Sequence, residues 1–296
     1  MCIGREASEG VMNEATAYLH DLGTRVLRSY ATLPGVAATA ILGSTSEGHA
    51  DQYSDLDLAV YYDAMPGEAD IRAVRATLGG TELLWTLGAY ADGDFIESFR
   101  VHGVECQVVH TTVTRWEETI AHVLAGHEPG APVHKAMSGA VAALPVTGAH
   151  RLAAWQDAIR TYPHALRLAV VRHHLTFFRI WALMDRLESR DAGLWFRQTL
   201  VESSFNLLGV AAGLSRRYFT PFQFKRTRTF VAALDIAPSG LADRLDRLWT
   251  VSPREAAEQL RQLVEETVGL VEQHLPEVDT TKVRHALASR DESWSR

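Results

Sequence analysis

The sequence is poor in the residues that build secreted scaffolds or membrane spans. Only two cysteines, Cys2 and Cys106, occur in 296 residues, so neither a disulfide framework nor a cysteine-based zinc site is expected. No stretch approaches the roughly 20 consecutive apolar residues that a membrane-spanning helix needs. The first ten residues carry acids and lack the apolar core of a signal peptide. We therefore expect a cytoplasmic protein that does not contact membranes.

The chain also lacks an excess of basic residues. Lysine and arginine number 29 against 36 aspartate and glutamate residues, giving a net charge of −7. A protein that follows a nucleic-acid backbone usually presents a basic face, so a nucleic-acid substrate is disfavoured, although a local basic patch leaves it open. A small-molecule substrate is the better expectation. Nothing in the sequence indicates an oligomeric state.

The composition is that of a globular protein, and the patterns along the chain divide it in two. With 47% hydrophobic residues, a chain of this length forms one large domain or two ordinary ones. Helical and strand patterns alternate up to about Thr114, and only helical patterns follow. We predict an α+β protein, with a mixed-sheet catalytic domain over residues 1–115 and a helical substrate-binding domain over residues 116–296.

The predicted elements follow hydrophobic periodicity and turn residues. A first helix is expected over residues 12–30, with Asn13 as a candidate cap, and a second over residues 68–78. The predicted strands cover residues 36–42, 56–62, 82–87, 95–101 and 104–110. The predicted later helices cover residues 151–160, 164–188, 192–214, 221–234, 241–249 and 253–275.

One segment carries recognisable chemistry: a strand ends in Gly43-Ser44, a polar loop follows, and a second strand opens with Asp55-Leu56-Asp57. Residues two apart on a strand point to the same face, so the two carboxylates lie side by side. Two carboxylates this close repel each other unless a cation lies between them. Mg²⁺ fits best because it coordinates carboxylate and phosphate oxygens. Gly43 lets a phosphate approach the backbone, and the Ser44 hydroxyl can donate to it. The combination predicts phosphoryl or nucleotidyl transfer.

This combination resembles the nucleotidyltransferases of the DNA polymerase β superfamily, whose signature is a Gly-Ser turn, a loop, and an acid-hydrophobic-acid strand. The fuller form, with Ser54 before the acids, is most similar to the stand-alone bacterial branch that includes aminoglycoside and lincosamide nucleotidyltransferases. The resemblance covers about Leu19 to Thr112. It implies two Mg²⁺ ions, a nucleoside triphosphate co-substrate, with ATP expected, and contacts from the Gly43-Ser44 turn to the β and γ phosphates.

The resemblance also implies a third carboxylate on a later strand. Val104-Glu105-Cys106 has the expected form, which makes Glu105 the candidate, either as a metal ligand or as the general base. Glutamate stands where the family more often has aspartate, and Glu97 is the runner-up. Ser54 either contacts phosphate or, together with Asp51, orders the loop.

The helical half holds a further candidate segment between Arg216 and Arg226 that combines cations with aromatic residues. By resemblance to helical-domain residues of such enzymes, Lys225 is expected to reach the triphosphate and Tyr218 to stack on the base. A hydrophobic helix junction with a solvated basic rim explains the same residues.

The predicted function is transfer of a nucleoside monophosphate, with AMP expected, to a hydroxyl of a small acceptor such as an antibiotic, with release of pyrophosphate. Asp55, Asp57 and Glu105 are the predicted catalytic and metal-binding residues. The predicted nucleotide contacts are Gly43, Ser44, Ser54, Tyr218 and Lys225. Two alternatives stay open: modification of a protein or tRNA by an enzyme of toxin-antitoxin or regulatory type, and a nucleotide sensor without catalysis.

Overall fold

The structure, a computed structural model, describes residues 13–290. Cys2 and Met12, which entered the predictions above, lie outside this range. The chain forms two compact units: one comprises the chain up to Ile120 together with Gly139–Arg160, and the other comprises Ala121–Ser138 and the chain from Thr161 onward. The assignment of residues 1–115 and 116–296 to separate domains stays a prediction. In the structure, the segment Gly139–Arg160 belongs with the first unit.

The secondary structure confirms the predicted α+β class. The strands are β1 (Val36–Ile41), β2 (Leu56–Tyr62), β3 (Trp85–Ala89), β4 (Asp94–Val101), β5 (Val104–Thr112) and β6 (Leu144–Thr147). The helices of the first unit are α1 (Glu14–Tyr30), α2 (Gly43–Ser46), α3 (Glu68–Thr77), α4 (Val113–Leu124, which continues into the second unit) and α6 (Ala149–Arg160). The remaining helices are α5 (Val133–Ala142), α7 (His164–His174), α8 (Met184–Ser189), α9 (Gly193–Leu214), α10 (Thr227–Ala232), α11 (Leu241–Arg247), α12 (Pro253–His274) and α13 (Thr281–Ala288).

The six strands found in residues 13–290 form one mixed sheet in the first unit, in the order β3-β4-β5-β2-β1-β6. β2 lies in the interior, antiparallel to β1 and parallel to β5, while β4 forms antiparallel pairs with both β3 and β5. The strand that carries the two aspartates therefore has a hydrogen-bonded neighbour on each side. This position holds the start of β2 rigidly between the end of β1 and the start of β5.

Helix α1 covers one face of this sheet because its apolar residues recur at helical spacing. Asn13 caps the helix, as predicted, by accepting a hydrogen bond from the Thr16 backbone amide at 2.8 Å. Leu22, Val26 and Leu27 are at most 1% exposed and pack with the apolar residues of β2 and β5. The polar residues at the start of β2 and β5, such as Asp57 and Gln107, lie on the opposite face.

The prediction that only helices follow Thr114 is wrong, because β6 adds a sixth strand next to β1. β6 has only four residues, one of them Pro145. A strand this short does not show an alternating pattern. A proline is tolerated there because an edge strand has backbone groups that need no partner in the sheet. Thr39 and Thr147 join the two strands through their hydroxyl groups, 3.0 Å apart.

The single helix predicted over residues 164–188 is also wrong. Helix α7 ends at His174, and a short 3₁₀ helix, Ile180–Ala182, precedes α8. In the break, the side-chain amide of Asn206 donates to the Thr176 carbonyl at 2.7 Å. This hydrogen bond from α9 pairs a backbone carbonyl that a continuous helix would have paired internally. Hydrophobic periodicity cannot reveal such a long-range contact.

Two other predicted elements differ from the structure by at least three residues at one end. The helix predicted over residues 221–234 is reduced to α10, which begins after Arg226 in the left-handed conformation. The strand predicted over residues 82–87 lies at Trp85–Ala89, set by pairing with β4. Within residues 13–290, no helix has both the length and the apolar character that crossing a membrane requires.

Candidate active site

The turn after β1, which is the first turn of the short helix α2, brings the backbone into direct contact with a carboxylate of β2. The backbone amide of Leu42 donates to the Asp57 carbonyl at 2.9 Å, which extends the pairing of the two strands to the turn. Gly43 then adopts a left-handed φ of +61°, and a β-carbon built on it would lie 2.1 Å from Oδ2 of Asp57. Any side chain at this position would therefore displace the carboxylate. Only glycine fits both the dihedral angle and the space.

The hydroxyl of Ser44 lies in this turn and is buried. Within the described residues, neither Ser44 Oγ nor Thr45 Oγ1 has a hydrogen-bond partner. A buried hydroxyl without a partner costs free energy, about 1–3 kcal/mol, unless a ligand or water satisfies it. Ser44 can therefore donate to an anionic group bound at the turn.

The start of β2 places two carboxylates on the face opposite α1. Leu56 and Leu58 are fully buried in the core beneath the sheet, and the alternation of the strand directs Asp57 to the other face. Asp55 immediately precedes the strand, and its Oδ2 accepts a hydrogen bond from Gln107 Nε2 at 3.0 Å. Both carboxylates are partly exposed, so a ligand can reach them.

Four residues in register form a row across four neighbouring strands on this face. Asp57 of β2 lies opposite Gln107 of β5, Gln107 lies opposite Ser98 of β4, and Ser98 lies opposite Trp85 of β3. Residues directly opposite each other in a sheet share a face. The row therefore extends from the carboxylate pair to the edge of the sheet.

Glu105 lies beside this row and is held by it. Its Oε1 accepts hydrogen bonds from Ser98 Oγ at 2.7 Å, Trp85 Nε1 at 3.0 Å and Gln107 Nε2 at 3.3 Å. The hydrogen bond from Ser98, supported by those from Trp85 and Gln107, outweighs partial burial and lowers the pKa of Glu105 from its ordinary value. Glu105 is thus a fixed, ionised carboxylate, connected to Asp55 through the Gln107 amide.

Glu97, the runner-up for the third acid, lies on the other face. It is opposite Val108 in the β4–β5 ladder and only 2% exposed. Its carboxylate is bonded to Tyr30 at 2.7 Å, to His110 at 3.3 Å and to Arg75. Burial acts to raise the pKa of Glu97, but the hydrogen bonds from His110 and Tyr30 and the Arg75 charge outweigh it, and the net shift is downward. Its environment is that of a buried structural ion pair.

The loop between the turn and the acids is closed by its own side chains. The Asp51 amide donates to Ser54 Oγ at 3.0 Å, and the Ser54 amide donates to the Asp51 carbonyl at 3.1 Å. Asp51 Oδ1 also accepts from the Tyr53 amide at 2.9 Å. This geometry supports the loop-ordering alternative for Ser54, and its phosphate contact stays a prediction.

The two nucleotide contacts predicted in the helical half belong to the second unit. Tyr218 is only 8% exposed and packs against Tyr162 and His134, with ring centroids 5.0 and 5.9 Å away. Lys225 is exposed. The first unit therefore brings together Gly43, Ser44, Asp55, Asp57 and Glu105. The roles of these residues, like those of Tyr218 and Lys225, remain predictions.

The carboxylate oxygens on the face opposite α1 suit a hard cation whose remaining ligands come from the substrate. Among residues 13–290, no three His, Cys, Asp or Glu side chains form a ready metal-binding group. Mg²⁺ is commonly held by one or two protein carboxylates together with substrate phosphates. Asp55 and Asp57, beside a turn with a buried hydroxyl in need of a partner, fit that mode of binding.

The sequence predictions missed Gln107, Ser98 and Trp85. Gln107 follows Glu105 at the same spacing as Asp57 follows Asp55, so alternation alone puts it on the acid-bearing face. Ser98 and Trp85 could be found only from the register of three strand pairs.

Comparisons with known proteins add little to this geometry. No protein-family model matches the sequence, and no curated protein matches it either. Among solved structures, a nucleotidyltransferase-like protein from Exiguobacterium sibiricum 255-15 is similar over 93% of this chain and 82% of its own, with 12% identity and a TM-score of 0.39. At this level of similarity, a functional proposal depends on the site itself.

Proposed function

We propose that this protein is a metal-dependent nucleotidyltransferase that transfers a nucleoside monophosphate, with AMP expected from ATP, to a hydroxyl of a small acceptor. The observation that carries the proposal is the contact between the Gly43 backbone and the Asp57 carboxylate, with the unpartnered Ser44 hydroxyl in the same turn. This geometry supports a phosphate-binding role for the turn, directly beside the carboxylates.

Asp55 and Asp57 would hold the Mg²⁺ ions, two in number by resemblance to the superfamily. Bound Mg²⁺ would neutralise phosphate charge and make the acceptor hydroxyl more acidic. Gly43 provides the space for the triphosphate at the turn, and Ser44 Oγ donates to a β- or γ-phosphate oxygen. Gln107 orients Asp55 through the hydrogen bond between Nε2 and Oδ2. Glu105 adds a third negative charge at the start of β5.

The reaction needs no covalent enzyme intermediate. The acceptor oxygen forms a bond to the α-phosphorus while the bond from that phosphorus to the bridging oxygen of the β-phosphate breaks. The acceptor proton passes to a carboxylate or to water, and pyrophosphate leaves. What the chain contributes is positioning and electrostatic stabilisation, which account for most of the catalysis of phosphoryl transfer.

A pyrophosphate-release screen tests the proposal. The four nucleoside triphosphates with Mg²⁺ are incubated with aminoglycosides, lincosamides and cell extract, and the mass of any product identifies the acceptor and the nucleotide. Labelled AMP in protein or RNA from the extract would indicate the macromolecule-modifying alternative. Asp57→Asn should lower turnover by at least about 1000-fold because it removes a metal-binding charge beside the phosphate turn.

A matched control separates loss of the site from loss of fold. Asp63 is exposed just after the other end of β2 and forms an ion pair with Arg151 at 3.7 Å. Asp63→Asn therefore makes the same chemical change away from the carboxylate pair and should keep full activity. Full activity in a folded Asp57→Asn variant would refute the proposal.

One observation favours nucleotide sensing as a second candidate. The residue opposite Asp57 is Gln107 rather than an acid, and Glu105 Oε1 already accepts three hydrogen bonds. Such a site can bind a metal-nucleotide complex without completing the transfer. Calorimetry that shows tight nucleotide binding, with no pyrophosphate released across the whole screen, would select this candidate.

A further inference from the structure

An exposed tryptophan at the sheet edge is tied to the candidate active site by hydrogen bonds. Trp85 of β3 is 39% exposed, and its indole Nε1 donates to Glu105 Oε1 at 3.0 Å. The same oxygen accepts from Ser98 Oγ, and Ser98 lies directly opposite Trp85 in the ladder. The polar edge of the indole is therefore anchored while part of the ring remains accessible. A fixed aromatic ring beside polar groups is typical of ligand-binding sites.

The position of the ring follows from the order of the strands. Neighbouring strands lie roughly 4.8 Å apart, and Trp85 is three strands from Asp57 in the same row. Three spacings separate the backbones of Trp85 and Asp57 by about 14 Å. The indole itself lies closer to the carboxylates, because its Nε1 is linked to Asp55 Oδ2 through Glu105 Oε1 and Gln107 Nε2 by hydrogen bonds of 3.0, 3.3 and 3.0 Å. Gln107 and Ser98 lie between them on the same face.

The direction in which the row extends from the carboxylates indicates where the acceptor binds, because nucleotidyl transfer is an in-line displacement at the α-phosphorus. The attacking oxygen and the departing pyrophosphate lie on opposite sides of the α-phosphorus. The Gly43-Ser44 turn follows β1, on one side of the carboxylates, whereas β5, β4 and β3 lie on the other. If the turn binds the phosphates that leave, the acceptor must approach over Gln107, Ser98 and Trp85.

From this arrangement we infer that Trp85 is the stacking platform of the acceptor subsite, and that Glu105 and Ser98 are positioning residues that hold its indole in place. The inference rests on the proposed nucleotidyl transfer and narrows its substrate class. The acceptor carries a ring with an apolar face, separated from the reactive hydroxyl by the width of the Glu105 and Gln107 side chains that lie between the indole and Asp55. Either a sugar or an aromatic ring offers such a face.

Fluorine NMR tests where ligands contact this tryptophan. The full chain is labelled with 5-fluorotryptophan, and the Trp85→Phe variant identifies the Trp85 resonance. The probes are α,β-methylene-ATP with Mg²⁺, then the same complex with kanamycin, which carries sugar rings, or with chloramphenicol, which carries an aromatic ring. We expect the Trp85 resonance to move with one of the ring compounds and not with the nucleotide alone. Which compound moves it distinguishes a sugar from an aromatic ring.

Kinetics with the acceptor that produces the shift give a second readout. Trp85→Ala should raise the acceptor KM roughly tenfold and leave the ATP KM unchanged, because stacking is lost only on the acceptor side. Trp85→Phe, which keeps a ring but lacks the Nε1 donor to Glu105, should restore only part of the affinity. Leu87→Ala is the matched control, since Leu87 is exposed on the same strand and the same face but lies outside the row.

The outcomes separate this inference from the proposed function. A Trp85 resonance that moves with the nucleotide alone, no movement with either ring compound, or an unchanged acceptor KM in Trp85→Ala would each overturn the acceptor subsite while leaving nucleotidyl transfer intact. Failure of calorimetry to detect binding of the Mg²⁺ complex of α,β-methylene-ATP to the wild-type chain would instead remove the proposed function, and this inference with it.

Discussion

A β-carbon on Gly43 would lie 2.1 Å from Oδ2 of Asp57, so the backbone of the turn and the carboxylate of β2 are in direct contact. The contact joins two parts of the signature that are 14 positions apart in the chain. It explains why the Gly-Ser turn and the acid pair indicate an active site only when they occur together. The Asp57 carboxylate occupies the space that a side chain at Gly43 would fill.

Replacement of Gly43 by alanine should therefore reduce activity strongly. The new β-carbon would push the Asp57 carboxylate out of place, and the left-handed backbone would add strain of roughly 1–2 kcal/mol. We expect turnover to fall by about 100-fold or more, because a displacement of 1 Å at a reacting centre has effects of that size. Pyrophosphate release and chemical denaturation measure the two consequences.

Gly48→Ala is the control for backbone strain alone. Gly48 has a φ of +75°, similar to that of Gly43, but no atom lies within 4 Å of its built β-carbon. This variant should lose a similar amount of stability to backbone strain while retaining turnover. Equal activity losses in the two variants would show that the contact with Asp57 is not what matters.

Gln107→Glu should make the stability of the first unit depend on Mg²⁺. The amide that now bridges Asp55 and Glu105, opposite Asp57, would become a fourth carboxylate among like charges. Without a cation, we expect a loss of roughly 2 kcal/mol from their repulsion, and millimolar Mg²⁺ should recover most of it. Denaturation curves in EDTA and in Mg²⁺ give this difference.

The second unit offers a matched control for that substitution. Gln198 Nε2 donates to Glu202 Oε1 at 2.8 Å on an exposed helix face, so Gln198→Glu also places a carboxylate beside a carboxylate. Because the pair is exposed, water and salt screen its repulsion. The stability of the Gln198→Glu variant should therefore be the same in EDTA and in Mg²⁺. A Gln107→Glu variant that is likewise indifferent to Mg²⁺ would argue against cation binding at Asp55 and Asp57.

Glu97→Gln should reduce stability without reducing activity per folded molecule. The substitution removes the charge that pairs with Arg75 in a site only 2% exposed, and breaking a buried pair costs about 3 kcal/mol. Because Glu97 lies on the α1 face, the carboxylates on the other face should keep their positions. Chemical denaturation, together with turnover normalised to the folded fraction, measures both effects.

Glu68→Gln provides the comparison for an exposed pair. Glu68 meets Arg72 at 3.4 Å one turn along α3, with both side chains more than 60% exposed, and its loss should cost less than about 0.5 kcal/mol. If Glu97→Gln behaved like Glu68→Gln in stability but lost turnover, Glu97 would have to be reconsidered as the third acid.

Acid should destabilise the second unit through two buried histidines. Burial lowers the pKa of His134 and of His174 from 6.5 to about 4. Between these values the unfolded chain binds protons that the folded chain does not, so the free energy of unfolding falls as pH drops from about 6.5 to about 4. Each histidine contributes at most about 3 kcal/mol.

Denaturation at pH 7.5 and pH 5 tests this dependence. His134→Leu should reduce the difference in stability between the two pH values, because one titrating group is removed. His150→Leu, at an exposed position, should leave the difference unchanged. An unaltered pH dependence in His134→Leu would show that His134 is not a source of the acid sensitivity.

Local patterns were sufficient to predict the first half of the sheet. The span of α1 after its Asn13 cap, the bounds of β2 and the common face of its two acids follow from helical periodicity, capping chemistry and strand alternation. These signals depend on residues fewer than five positions apart. A single sequence therefore contains them.

Long-range pairing decided what those patterns could not. Glu97 and Glu105 look alike as acids in apolar strand sequence, and the β4–β5 register alone puts them on opposite faces of the sheet. The same register brings Trp85 and Ser98 to Glu105. β6 and the break after His174 likewise depend on partners more than 25 residues away, namely β1 and Asn206.

The sequence by itself determined the Gly43-Ser44 turn, the Asp55 and Asp57 pair and the α+β class, because each depends on neighbouring residues and on composition. Only the tertiary structure decided which further side chains join that pair, because strand order and register, set by packing over the whole sheet, determine which residues lie opposite one another. The row from Asp57 through Gln107 and Ser98 to Trp85 exists only once four separate strands have paired.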